Sequence, residues 1–114
     1  DAELQQQVAI AAANVEVAES NIDRLESDQT RAEAVVTQAT SSHERKVSLA
    51  SQSAISREEL DQSLEALTVA QAGLGASESA IVQGKKSLLA AQELLTYHRR
   101  VFRTRSSWLR LMGW

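Results

Sequence analysis

Two histidines, His43 and His98, are the side chains of this chain best suited to acid–base or metal chemistry near neutral pH. They stand far apart in sequence, and neither has the second histidine one helical turn away that a helical metal site uses. There is no cysteine, which excludes thiol nucleophiles, thiolate metal sites and disulfide staples. The 15 acidic residues are scattered rather than gathered, the usual arrangement of charge on solvated helix faces. No glycine-rich phosphate loop and no nucleophile elbow occurs. These residues therefore point to a binding scaffold: no enzyme, no cofactor and no metal.

The elements that would carry such a scaffold are long helices. The 114 residues contain no proline and only four glycines, and Ala, Gln, Glu, Ser and Leu dominate. Ala, Leu, Gln and Glu lose little side-chain freedom in a helix, so little interrupts helix formation. Few residues are aromatic, which argues against a thick globular core. In the first half, Leu4, Val8, Ala11, Val15, Ala18, Ile22, Leu25, Gln29, Ala32, Val36, Ala39 and His43 follow one another at alternating steps of 4 and 3. Spacing of this kind keeps one stripe turned towards a partner helix. His43 reads as a polar seam residue near the end of this stripe.

In the second half Leu60, Leu67, Leu74, Ile81, Leu88 and Leu95 recur every seventh residue, with the small Ser63, Ala70, Ser77, Gly84 and Ala91 between them. Alternation of large and small seam residues lets two helices approach closely. The expected fold is all-α: a long two-helix antiparallel coiled-coil hairpin over residues 1–98. Its first helix spans about residues 2–50, its turn about 51–56 and its second helix about 57–98. At 1.5 Å per residue the helices would be about 73 Å and about 63 Å long.

Ser56-Arg57-Glu58-Glu59 has the form of a capping box, with Ile55 and Leu60 at the two staple positions around it. Glu58, Glu59 and Asp61 put negative charge at the helix N-terminus, where the macrodipole favours it. Gly84 fits the small-residue seam, whereas Gly73 and Gly75 have no evident seam role. Leu49 reads as the last seam residue before the turn, and Arg45 as a solvated charge pairing with Glu44 or Glu58.

The net charge of −3 hides an asymmetry. Residues 1–98 hold 7 Lys/Arg against 15 Asp/Glu, while residues 99–114 hold five Arg and no acid. The body offers nothing to attract nucleic acid. No apolar run is long enough to span a bilayer, and no signal peptide is recognisable. With Asp1 in place of an initiator Met, the chain reads as a fragment or a processed piece.

The segment Arg45-Lys46-Val47-Ser48-Leu49-Ala50-Ser51-Gln52-Ser53-Ala54-Ile55-Ser56-Arg57-Glu58-Glu59-Leu60-Asp61 resembles the hairpin tip of periplasmic adaptor proteins, or membrane fusion proteins, of the HlyD/EmrA/AcrA type. In that family the tip carries Arg-Leu-x-x-Leu, then six residues and a Ser. Here Arg45, Leu49 and Ser56 stand at the first, fifth and twelfth positions, and Lys46 replaces the usual Leu at the second. The resemblance covers roughly residues 2–98. It implies a partner-binding tip of Arg45, Leu49 and Ser56 that docks on a TolC-like outer-membrane channel. Arg45 would insert between channel helices, Leu49 would give an apolar anchor and Ser56 a hydrogen bond, although capping alone also accounts for Ser56.

The resemblance further implies neighbouring adaptor copies as partners. An inner-membrane transporter would be reached through domains absent here. It also implies the periplasm of a Gram-negative bacterium, with the parent anchored to the inner membrane, and a role in tripartite efflux or type I secretion. The alternative is a generic coiled-coil spacer or assembly module unrelated to export. Exposed seam edges would also give truncated hairpins a route to pair with one another. In the family the chain after the second helix continues into an Ala-Pro-x-x-Gly stretch of a lipoyl-like domain; here it runs into the basic, aromatic segment from Arg99 to Trp114. That tail reads as an appended or out-of-frame extension, as a membrane-surface or partner-binding segment, or as a short helix packing on the open end of the hairpin.

Overall fold

In the computed structural model, which describes residues 2–113, the helix-forming composition is realised as two helices: α1, Ala2–Ser51, and α2, Arg57–Leu111. Among the described residues there is no strand. Every seam position named on α1, from Leu4 to His43, is buried or half-buried, and so is every one named on α2 from Leu60 to Leu95. Steps averaging three and a half residues nearly match the helical repeat, so these side chains share one face and leave water together.

The two helices form two compact units. One joins the α1 residues up to Asp23 with the α2 residues from Val82 onward; the other spans Arg24–Ile81 and contains the turn. In the first unit the core is Ala11, Val15 and Leu95, with Val8, Ala12, Leu88 and Ala91 packed against it. A large residue of one helix here meets a small residue of the other: Ala11 and Leu95 are equidistant from Ser53 in sequence, as are Val15 and Ala91. In the second unit Ser63 and Ala70 are buried, and Ile81 is buried at the unit's edge.

α2 does not stop near residue 98 as expected but continues to Leu111. Nothing between Gly84 and Gly113 breaks a helix, and the seam itself runs on. His98 and Phe102 continue the alternating spacing and are half-buried, and Phe102 lines a groove with Val8 of α1. The basic segment is therefore neither a separate short helix nor irregular chain; it prolongs α2. The helix ends where Gly113 takes a φ of 80° and its amide bonds to the Arg110 carbonyl at 3.1 Å, a left-handed cap that glycine adopts without steric cost. Trp114 lies outside the described residues.

Gly73 and Gly75 are exposed on α2, and a Cβ built on either would meet nothing within 4 Å. Neither position needs a glycine for the packing of this chain on itself.

Candidate partner-binding tip

The site expected at the reversal is built by the end of α1, a short turn and the start of α2. α1 ends in a Schellman motif. The Ala54 amide bonds to the Leu49 carbonyl at 2.8 Å, and the Ser53 amide to the Ala50 carbonyl at 3.0 Å. The motif needs a left-handed residue, and Ser53 supplies it with φ 57°. Glycine is usual at such a position; a residue with a Cβ pays roughly 1–2 kcal/mol there. Ser51 closes the same turn by donating from Oγ to the Ser48 carbonyl at 2.6 Å.

α2 then starts as its sequence specifies. The Glu59 amide donates to Ser56 Oγ at 3.2 Å, and the Ser56 carbonyl accepts from the Leu60 amide at 3.2 Å. Half of the capping box is thus made; no bond runs back from the Glu59 side chain to the Ser56 amide. Ile55 and Leu60, at the staple positions, are both half-buried.

Below the turn a polar pair joins the two helices. His43 Nδ1 lies 2.9 Å from Ser63 Oγ, and Ser63 Oγ donates its one proton to the Leu60 carbonyl at 2.7 Å. The His43 contact therefore requires Nδ1–H as donor and the Ser63 oxygen as acceptor, a role that both the neutral Nδ1–H tautomer and the imidazolium fill. Ser63 is only 5% exposed, so this bond satisfies polar groups where water does not reach. His43 and Ser63 are equidistant from Ser53, and the same mirror sets the polar Gln29 level with Ser77. Ser77 Oγ in turn donates to the Leu74 carbonyl at 2.8 Å.

Three expected roles can be compared with this geometry. Ser56 is an exposed N-cap whose hydroxyl is used by the helix. Leu49 is not the last seam residue: the half-buried positions run His43, Lys46, Ala50, and Leu49 stands off that stripe, 40% exposed. The step from His43 to Lys46 to Ala50 keeps the helical spacing, which leaves Leu49 on the flank. Arg45 is exposed and makes no ion pair with Glu44 or Glu58. Asp28 does form ion pairs on α1, with Arg24 at 3.3 Å and with Arg31 at 3.2 Å. Glu44 immediately precedes Arg45 and so points to another face of the helix, and Glu58 stands in the first turn of the opposite helix.

Arg45 and Leu49 are one turn apart on the flank of α1, facing solvent at its C-terminal end. On the same flank a shallow groove of about 310 Å³ lies between the helices, lined by Val35, Gln38, Ser42, Gln62 and Ala66 among others. Two features of the tip were missed in the sequence: the left-handed Ser53, which no glycine announces, and the pairing of His43 with Ser63, which depends on register. The mirror of the seam about the turn was the available signal for the second.

Among the described residues no group of His, Cys, Asp or Glu could hold a metal ion, and no helix is long and apolar enough to cross a membrane. What the fold and the tip define is a helical hairpin that shows solvent a small mixed apolar and cationic surface at its reversal. A family model for the alpha-helical hairpin domain of RND membrane fusion proteins matches residues 21–98, and the chain belongs to that family. The matched stretch holds the whole turn and ends at His98, where the basic segment begins. No curated protein and no solved structure matches the chain.

Proposed function

We propose that this chain is the hairpin of a periplasmic adaptor that bridges an inner-membrane transporter to a TolC-like outer-membrane channel, and that Arg45, Leu49 and Ser56 dock its tip on the channel. The observation that carries the reading is the placement of Leu49. An apolar side chain off the seam, still 40% exposed, stands one turn from an exposed arginine without an ion-pair partner. Its exposure costs the isolated chain and gains on contact with a partner. Arg45 beside it would bond carbonyls or carboxylates of the channel through its planar fork. Ser56 holds the start of α2 and hence the shape of the turn, and its oxygen has a second lone pair for a partner. The function is one of reach and recognition, with no chemistry on the cargo.

Neighbouring copies of the hairpin are the second partner in this reading. The flank of α2 marked by Gln62, Ala66, Val69, Gly73, Ala76 and Ala80 carries no charge and is mostly exposed, and the open space at Gly73 would admit a close neighbour. Helices with small residues on such a flank can approach closely without desolvating charge.

Co-purification of a TolC-like channel with the adaptor carrying this hairpin tests the tip. Arg45→Glu and Leu49→Ser are each expected to abolish channel association while the far-UV circular dichroism stays unchanged. Normal association and export with Arg45→Glu would sink the docking role and leave a spacer whose tip is irrelevant. Because the chain lacks cysteine, Val69→Cys gives a clean probe of neighbours: oxidative cross-linking between copies is expected at this position and not at Glu65→Cys.

A further inference from the structure

The last turns of α2 carry a surface that neither the seam nor the tip uses. Tyr97, Val101, Thr104, Trp108 and Leu111 recur at helical spacing and form one uncharged stripe. Trp108 is 59% and Leu111 81% exposed, with Met112 exposed beyond them. Arg100 and Arg105 border the stripe: with Tyr97, Val101, Thr104 and Trp108 they line one groove. Arg103 joins Thr104, Ser107, Trp108 and Leu111 around the next. No acidic residue follows Glu93 in the sequence. The opposite side of the same turns is occupied, since Phe102 is half-buried beside Val8.

We infer that the end of α2 from Tyr97 to Met112 binds the surface of an anionic phospholipid bilayer. An interfacial helix needs an apolar stripe with aromatic residues and a cationic border. Here the stripe would enter the headgroup region, Trp108 and Tyr97 would sit at the level where amphipathic rings are favoured, and Arg100 and Arg105 would lay their stems along the stripe and reach phosphates with their guanidinium forks. A second copy of this chain is the poorer occupant, because two such ends bring five Arg each into one interface. Nucleic acid is poorer too: it would match the arginines but leave Leu111 and Met112 in water.

The test is binding of the full chain to vesicles of phosphatidylcholine with and without one third phosphatidylglycerol, followed by co-sedimentation and by tryptophan emission. Binding with a blue shift is expected on the anionic vesicles, weakening as salt is raised, and little binding on phosphatidylcholine alone. Removing two surface cations with Arg100→Gln and Arg105→Gln together is expected to lower affinity about thirtyfold. Trp108→Ser with Leu111→Ser is expected to abolish binding although every arginine is kept. Circular dichroism of each variant checks that α2 remains helical; Arg100, Trp108 and Leu111 lie on the face away from Phe102, Arg105 is exposed at the border of the stripe, and the conservative Gln pair gives a reading even if the Ser pair frays the helix end. Failure to bind anionic vesicles, equal binding to both vesicle types, or undiminished binding of either double variant overturns the inference. So does a short DNA duplex bound as tightly as the anionic vesicles.

Discussion

The bond between His43 and Ser63 is the most specific contact the two helices make near the turn, and its strength is open to a double-mutant cycle. In the parent chain His43 Nδ1–H donates at 2.9 Å to a serine oxygen that is 5% exposed. Ser63→Ala removes the acceptor and leaves the Nδ1–H of a half-buried ring without a partner. An unsatisfied buried donor costs about 1–3 kcal/mol, and because His43 keeps some contact with water, about 1 kcal/mol is expected. His43→Leu leaves Ser63 satisfied by the Leu60 carbonyl at 2.7 Å and puts an apolar residue on an apolar seam, so its effect is expected within about 0.5 kcal/mol of neutral. The double variant loses donor and acceptor together and is expected to be at least as stable as His43→Leu alone. The coupling between the two sites is then about 1 kcal/mol. Urea unfolding followed at 222 nm measures all four corners of the cycle. Strict additivity, to within the roughly 0.3 kcal/mol expected of independent sites, would show that the bond does not form in solution and would remove the argument for Nδ1–H as the donor.

Three further substitutions follow from the backbone. Ser53→Gly relieves a left-handed residue that carries a Cβ; set against glycine's greater freedom in the unfolded chain, a net gain of about 0.5–1 kcal/mol is expected in urea melts, and a loss would mean that the Schellman turn is not populated. Ser56→Ala removes the acceptor of the Glu59 amide and should cost about 1 kcal/mol, with the start of α2 showing faster amide exchange than its middle. Gly75→Ala, with open space around the new Cβ, should stabilise α2 by up to about 1 kcal/mol; a destabilised variant in the same melts would reveal a neighbour pressed against that position.

Much of this molecule is legible without coordinates, and the particular failures are informative. The Ser56 cap was readable because an N-cap is a local event: one hydroxyl, one amide three residues on, and no distant partner. Leu49 was misread as seam because near the end of a helix two flanking positions fit an apolar pattern about equally; the half-buried Lys46 and Ala50 show which one faces α2. The continuation of α2 past His98 is masked in the sequence by the change from acidic to basic composition, which coincides with the end of the leucine repeat at Leu95. Charge does not stop a helix, and His98 and Phe102 keep the seam's phase. Of the proposed tip residues, Arg45 and Leu49 were named through the likeness of a motif; their exposure could not be read from it.

By itself the sequence determined that there are two helices, that they turn one stripe towards each other, and that α2 begins just after the Ser56 cap. These depend on periodicity and capping, which act within a few residues. The tertiary structure alone decided the register, and with it everything that spans the two helices. It set large against small at Ala11 with Leu95, donor against acceptor at His43 with Ser63, and Leu49 off the seam. Register is set where the chain reverses, through a left-handed serine that no propensity favours. The Schellman hydrogen bonds hold that residue there, together with the packing of the two helices that the reversal joins.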